Sequence, residues 1–345
     1  MSAVDEQARL TVAALGSGSE AADASVESPA PPVIDGIATG LPPAGTHGGD
    51  GPRVAAALGF DPASMIDLSA SLNPFAPDVA EFLSGILGKE PSAVRHYPDP
   101  TGATAALAAA IGVDPDLLVL TNGGAEAIAL TAVHVGAGSI VEPEFSLYRR
   151  HLHTIDPGAP RWRSNPSNPL GRLADTRDTA AVWDEAFYPI ATGRWTRGDL
   201  DSWRLGSLTK LWNCPGLRLG YLIAPTADGA RAIRDRQPRW AVNGLAIAAL
   251  AELIAATDLP RWADQITALR NRFELALTSL GFRVTATDTN WLLVDRHDLR
   301  TDLAPLGVLV RDCASFGMPG IHRVALPTPS QLDTVVQAFS AIHDR

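Results

Sequence analysis

The chain has 345 residues, 46% of them hydrophobic and 19% charged, with a formal net charge of −10. That is globular composition, long enough for a large and a small domain sharing a site, and the acid excess argues against nucleic acid or a membrane as a partner. Cys214 and Cys313 form no CxxC pair and the eight histidines show no HExxH spacing, so no metal is expected and a reducing, cytoplasmic setting fits.

Residues 1–45, rich in Ala, Ser, Gly and Pro, are expected to form a tail. The start, Met1-Ser2-Ala3-Val4-Asp5-Glu6, lacks the basic and then apolar run of a signal peptide. Next come an alanine-rich helix (102–111), a buried strand (117–120), the turn Asn122-Gly123-Gly124 and a second helix (125–135). Ile140-Val141 is expected as a strand, followed by helix from Ser146; residues 180–183 form a strand ending at Asp184. Residues 203–206 lead into Ser207-Leu208-Thr209-Lys210, and 219–224 are strand-like. Two helices then follow in succession (244–256 and 260–280), the second with Trp262, Ile266, Leu269, Phe273 and Leu277 at 3-to-4 spacing. The longest near-apolar stretch, 245–256, contains Glu252 and is too short to span a bilayer. Strands at 283–285, 291–294, 308–311 and 323–326, with helices at 298–304 and 330–343, complete the chain.

Short apolar strands alternating with helices predict an α/β fold: a large domain with a mostly parallel sheet, then a smaller α+β C-terminal domain. The expected division is an arm over 46–75 joining the small domain, a large domain over 76–240 and the small domain over 241–345. Ligands in such sheets sit at the carboxyl ends of strands. Asp184, Lys210 and the Gly123-Gly124 turn all fall at such ends.

Those residue types suit pyridoxal 5′-phosphate. That cofactor needs an amine for its aldehyde, a carboxylate facing its pyridine nitrogen, and helix-start amides with an arginine for its phosphate. Lys210 and Lys89 are the only lysines. Asp184 ends an apolar strand, where an unpaired carboxylate is costly. Ser207, Arg218 and the amides of Gly124 and Ala125 are candidates for the phosphate, and Phe145 for the ring face. Singly, each has a plainer explanation: Asp184 as a turn cap, Arg218 as half of a surface ion pair, Gly123-Gly124 as a tight turn. Their order along the chain favours the joint reading.

The segments 165–171 (Asn-Pro-Ser-Asn-Pro-Leu-Gly), 184–187 (Asp-Glu-Ala-Phe), 207–210 (Ser-Leu-Thr-Lys) and 216–221 (Gly-Leu-Arg-Leu-Gly-Tyr), with eight residues from Lys210 to Arg218, resemble the class I/II aminotransferase superfamily of fold-type-I pyridoxal phosphate enzymes. The resemblance runs from His47 to the C-terminus. Thr46-His47-Gly48-Gly49, the run 67–74 (Asp-Leu-Ser-Ala-Ser-Leu-Asn-Pro), 95–99, 309–316 and 322–325 look like the L-threonine-O-3-phosphate decarboxylases of cobalamin biosynthesis, and next like histidinol-phosphate aminotransferases. The resemblance implies that Lys210 binds the cofactor covalently, Asp184 pairs with the pyridine nitrogen and Asn168 bonds the ring hydroxyl. It implies that Ser207, Arg218 and the Gly124 and Ala125 amides hold the phosphate. Tyr97 would reach the cofactor of a neighbouring subunit, hence a homodimer. Arg323 would clamp the carboxylate of a phosphorylated amino acid, Arg311 and His47 would meet its phosphate, and Asn73 joins the substrate set.

There are departures. Phe187 stands where many relatives have tyrosine, Ala125 lacks a hydroxyl common at the turn, and Leu170 replaces Thr or Ser. The stretch 148–184 is shorter than in relatives, so a sheet edge is expected to be missing and rebuilt, with a dimer partner as one means. Three activities remain: decarboxylation of a phosphorylated amino acid, transamination of the histidinol-phosphate type, or cofactor binding with catalysis lost.

Overall fold

A computed structural model describes residues 40–343. Five apolar runs pair into a central sheet: β1 (Leu118–Thr121), β2 (Trp162–Ser164), β3 (Val182–Asp184), β4 (Trp203–Gly206) and β5 (Gly220–Ile223), in the order β1-β5-β4-β3-β2. β2, β3 and β4 are parallel, while β5 runs antiparallel to both β1 and β4. Four of the five strands therefore point one way, and the reversed β5 is inserted among them. Alternate residues serve opposite layers, as a strand's two-residue period requires. Val119, Leu205 and Leu222 pack with Ile128 of helix Gly123–Val135 and Ile233 of helix Ala227–Arg236. Leu118, Leu120, Tyr221 and Ile223 pack on the other face with Leu107 of helix Thr101–Ile111 and Leu250 of helix Gly244–Ala255. Burial on both faces explains why these strands read as continuous apolar runs.

The register Ser164↔Asp184↔Leu205 aligns the carboxyl ends of β2, β3 and β4. Residues just past those ends thus emerge along one edge of the sheet.

The helix Leu259–Ser279 buries Trp262, Ile266, Leu269, Phe273 and Leu277, the stripe read from the sequence, and Asp258 caps its start by accepting from the Arg261 N–H. Beyond it, β6 (Arg283–Ala286), β7 (Trp291–Asp295), β8 (Arg311–Asp312) and β9 (Ile321–Ala325) form an antiparallel sheet in the order β8-β9-β7-β6. The expected strand 308–311 is split. Val308–Leu309 pairs in parallel with Ile66–Asp67 of the arm, whereas Arg311–Asp312 pairs with β9.

Two further expectations change. Ile140-Val141 is not a strand; the pairing lies earlier, at Ala137–Gly138, which runs parallel to Thr154–Ile155. Gly138 permits that approach, because a Cβ there would lie 2.6 Å from Trp162 and Leu152 side-chain atoms, while Val141 is exposed. The same segment lies beside the sheet edge where strands were expected to be missing. The Ser139 N–H donates to the Pro160 carbonyl at 2.9 Å and the Trp162 N–H to the Ser139 carbonyl at 2.9 Å, so a single bridge ties this separate two-stranded pair to the chain entering β2.

Most of the expected tail lies outside the described residues, but 40–45 are anchored. The Pro42 carbonyl accepts from buried Arg300 at 2.9 Å, and Leu41 packs beside the cluster of Val54 and Leu309. Helices Gly51–Leu58, Val79–Lys89 and Ala227–Arg236 were not expected. Among the described residues no helix is long and apolar enough to cross a membrane.

Phe273 is fully buried and edge-on to Phe339, with ring centroids 6.1 Å apart. Phe273→Ala is expected to lower stability by about 3–5 kcal/mol, whereas Leu275→Ala, at an exposed position of the same helix, should change it by less than about 0.5 kcal/mol. Urea unfolding midpoints compare the two.

Candidate active site

At the end of β1 the backbone turns through Gly123, at φ 77°, into the helix it begins. No side chain fits there: a Cβ on Gly123 would lie 2.4 Å from Arg218 Nη2, and one on Gly220 would lie 2.6 Å from the Gly123 carbonyl carbon and 2.7 Å from the Gly124 nitrogen. The turn is held against β5, and Gly124, Ala125 and Arg218 line the same cleft. Helix-start amides such as those of Gly124 and Ala125 lack partners within their own helix. Ser207, just past β4, is next to Gly124: a Cβ on that glycine would lie 3.4 Å from the Ser207 Cβ.

Lys210 lies on the single helical turn Leu208–Leu211 that follows β4. Its Nζ donates to the Ala70 carbonyl at 2.6 Å and stands 5.9 Å from the Phe187 ring centroid. Burial, then the charges of Arg323 and Arg218, lower its pKa to about 8, against a smaller opposing pull from Asp67. Asp184, at the end of β3, accepts from the Tyr148 hydroxyl at 2.8 Å and the Ala186 N–H at 3.0 Å. Burial raises its pKa against those two bonds.

Asn168 follows β2, and its Oδ1 accepts from Arg323 Nη1 at 2.6 Å. Arg323 Nη2 donates to the Ser69 carbonyl at 3.2 Å, its guanidinium lies 5.1 Å from the Trp291 ring centroid, and its buried Nε has no partner. Arg311 donates to the Gly45 and Thr46 carbonyls and, at 2.7 Å, to Ser315 Oγ. The two arginines are direct cross-strand partners. Both are buried, and neither forms an ion pair with a carboxylate among the described residues. His47 stands 5.6 Å from Phe145, ring to ring. Its pKa is lowered by burial first, then by the charges of Arg311, Arg150 and Lys210.

These groups surround one cleft of about 400 Å³. His47, Gly124, Ala125, Phe145, Asn168, Asp184, Ser207, Lys210, Arg218, Arg311 and Arg323 all line it. Two residues singled out from the sequence do not. Tyr97, expected to reach the cofactor of a neighbouring subunit and not its own, is exposed and stacked on Trp240 at 4.1 Å, outside this chain's cleft. Asn73 is fully buried behind the lysine: its Nδ2 donates to the Leu211 carbonyl at 2.9 Å, and its own N–H to the Lys210 carbonyl at 3.1 Å. It holds the lysine-bearing turn instead of facing a substrate. Sequence reading missed Tyr148, which lines the cleft and bonds Asp184, and Ser164, whose Oγ accepts the Asn168 N–H at 2.9 Å. Neither position carries a sequence signal of its own, since both matter through contacts distant in the chain.

The donor set fits pyridoxal phosphate. A lysine whose amine is partly neutral near pH 8, a buried carboxylate with no cation beside it, and a side-chain-free cradle facing an arginine lie in one cleft. Because the Lys210 pKa falls from 10.5 to about 8, the unfolded chain binds more protons than the folded one between those values. Stability of the cofactor-free protein should therefore rise with pH from about 8 toward 10.5, the penalty below pH 8 being at most ~3 kcal/mol. Lys210→Met is expected to be more stable than the natural sequence below pH 8 and to lose that rise. Denaturant unfolding at pH 7 and pH 10 checks both.

The description "Aminotransferase class I and II" matches residues 163–339, just over half of the chain. Threonine-phosphate decarboxylase of Salmonella typhimurium is 28% identical over 85% of this chain and 95% of its own. Histidinol-phosphate aminotransferase 1 of Cupriavidus pinatubonensis is 27% identical over 83% and 90%. The structure of histidinol-phosphate aminotransferase from Sinorhizobium meliloti, in complex with pyridoxal-5′-phosphate, superposes with a TM-score of 0.66 at 18% identity, covering 80% of this chain and 89% of that one. The chain belongs to the class I and II aminotransferases, as a pyridoxal phosphate-dependent enzyme of that family.

Proposed function

We propose that this enzyme decarboxylates L-threonine O-3-phosphate to aminopropanol phosphate for cobalamin biosynthesis, working as a cytoplasmic homodimer. One observation carries the reading: two buried guanidiniums, Arg311 and Arg323, stand opposite each other on neighbouring strands, and among the described residues neither pairs with a carboxylate. Like charges in that position repel, and burying them unpaired is costly. A ligand bearing two anionic groups relieves both costs. A carboxylate suits the planar fork of Arg323, and a phosphate suits Arg311 with His47. Similarity to a threonine-phosphate decarboxylase over nearly the whole of that chain supports the same assignment.

In this reading Lys210, Asp184, Asn168, Ser207, Arg218 and the Gly124 and Ala125 amides hold the cofactor, with Phe145 against its ring. Bound pyridoxal phosphate supplies an electron sink for the pair left at Cα when its bond to the carboxylate breaks. The protein's own work is to bind and orient. Arg323 fixes the carboxylate, Asp184 supplies negative charge to the cleft, and the Lys210 amine, its pKa lowered to about 8, is suited to pass a proton to Cα.

Exposed Tyr97 and Trp240, with Val94 nearby in sequence, offer apolar surface for a second copy. The two buried free cysteines suit a reducing compartment.

Amine transfer of the histidinol-phosphate type is the competing reading, supported by the Cupriavidus relative. Incubation with threonine phosphate is expected to release CO₂. Glutamate formed from histidinol phosphate and 2-oxoglutarate, without CO₂ from threonine phosphate, would overturn the proposal. Arg311→Gln should raise KM for threonine phosphate by about tenfold or more while changing kcat less, since it removes a charge-assisted contact remote from the breaking bond. Lys210→Ala should abolish both turnover and the visible absorbance of lysine-bound cofactor.

A further inference from the structure

Two buried carboxyl groups stand at the wall of the cleft, Asp184 on its lining and Glu144 behind it. They are joined by a continuous run of hydrogen-bonding groups. Glu144 Oε1 accepts from the Ser164 N–H at 3.0 Å, and Glu144 Oε2 meets the Ser164 hydroxyl. That hydroxyl oxygen accepts the Asn168 N–H at 2.9 Å and also lies against the Tyr148 phenol. Tyr148 donates to Asp184 Oδ2 at 2.8 Å, and Asp184 Oδ1 accepts from the Ala186 N–H at 3.0 Å. Asp184 and Tyr148 act on the charge of Glu144, which forms no ion pair among the described residues.

We propose that Glu144 is a positioning residue that carries the single proton of this buried pair, so that Asp184 stands ionised toward the cleft while Ser164 fixes Asn168. The inference rests on the reading of Asp184 as the partner of the cofactor's pyridine nitrogen.

Two carboxylates in one buried chain without a cation cannot both stay charged at modest cost, so the chain holds one proton. With that proton on Glu144 Oε2, it is donated to Ser164 Oγ. The Ser164 hydroxyl proton then turns to Tyr148, and the Tyr148 proton to Asp184. Ser164 accepts two bonds and donates one, and every oxygen along the run is satisfied. The reverse order, with the proton on Asp184, also closes the chain but places the charge on Glu144. Position decides between them. Asp184 lines the cleft, where the pyridine nitrogen of the proposed cofactor would balance its charge, whereas Glu144 does not reach it. Aspartate is also the stronger acid of the two in water. Burial raises both carboxyls, Glu144 to about 8, as a buried pair that shares one proton requires.

The test is infrared difference spectroscopy of the holoenzyme near pH 7, read together with cofactor affinity. The natural sequence should show the C=O stretch of a protonated carboxyl. Glu144→Gln should delete that band yet keep cofactor affinity within about twofold, because a neutral amide retains one donor and one acceptor toward Ser164. Glu144→Ala removes the acceptor for the Ser164 N–H and should weaken cofactor affinity about tenfold. Absence of a protonated-carboxyl band, or a band that survives Glu144→Gln and vanishes in Asp184→Asn, would overturn the proposal. Tyr148→Phe provides a variant that leaves Glu144 in place: its band should persist at a shifted frequency, and loss of the band would count against the assignment. If Asp184→Asn leaves cofactor affinity unchanged, the underlying reading of the site fails. If that variant weakens binding but Glu144→Ala does not, only this inference fails.

Discussion

The site depends on one backbone contact, the passage of β5 beneath the turn that follows β1. Gly220 opens β5 with its Cα so close to Gly123 and Gly124 that a methyl group there would overlap both. Because that strand runs against its neighbours, its first residues lie where β1 and β4 end. Two residues earlier Arg218, at φ 57°, directs its guanidinium at Gly123. One residue earlier the Leu219 carbonyl accepts the Thr209 N–H at 2.9 Å and so anchors the turn that carries Lys210. Three adjacent residues thereby set the helix-start amides, the arginine at their turn and the lysine. A side chain at Gly220 would disturb all three together, which is why the reversed strand is part of the site's construction.

Charge imposes the second constraint. Lys210, Arg218, Arg311 and Arg323 share the cleft, and the carboxylate lining it, Asp184, bonds a tyrosine and a backbone amide instead of a cation. The fold tolerates this crowding by satisfying the arginines with neutral acceptors: the Ser69, Gly45 and Thr46 carbonyls, Asn168 and Ser315. Neutral acceptors answer the hydrogen-bond requirement of a buried guanidinium but leave its charge unbalanced. Burial first, and then the arginine charges, lower the pKa values of Lys210 and His47, and an anionic ligand is the natural means of balancing the remaining charge.

How much of this was legible in the sequence follows from how local each signal is. The cleft-lining Lys210 and Asp184 stood out because a scarce lysine and a strand-terminal acid are visible within a few residues. The Gly123-Gly124 turn was visible for the same reason, while its cause, the approach of Gly220 from about a hundred residues away, was not. Asn73 misled because its motif suggested a ligand contact, whereas its amide spends its bond on the backbone of Leu211. Tyr148 and Glu144 were invisible, since their partners Asp184 and Ser164 become neighbours only when β2 and β3 pair. The sheet edge failed for a related reason: apolar Ile140-Val141 looked more strand-like than Ala137–Gly138, but closeness to Trp162 selected the segment with the glycine.

Phe187 shows how one departure from the family pattern redistributes work. Its ring packs edge-on to Trp291 at 4.8 Å, and Trp291 in turn underlies the Arg323 guanidinium. The residue therefore serves as an apolar support between the lysine and Arg323, with no hydroxyl to offer the cleft. Any hydrogen bond to a cofactor ring oxygen then falls to Asn168. The carbonyl of that side chain is already committed to Arg323, which leaves its amide nitrogen, a donor, for the cleft. Asn168 is thus oriented by the arginine proposed to grip the substrate carboxylate. A carboxylate that draws Arg323 toward itself competes with Asn168 for the same guanidinium protons, so the proposed roles of these two residues, on substrate and on cofactor, would be coupled through one side chain.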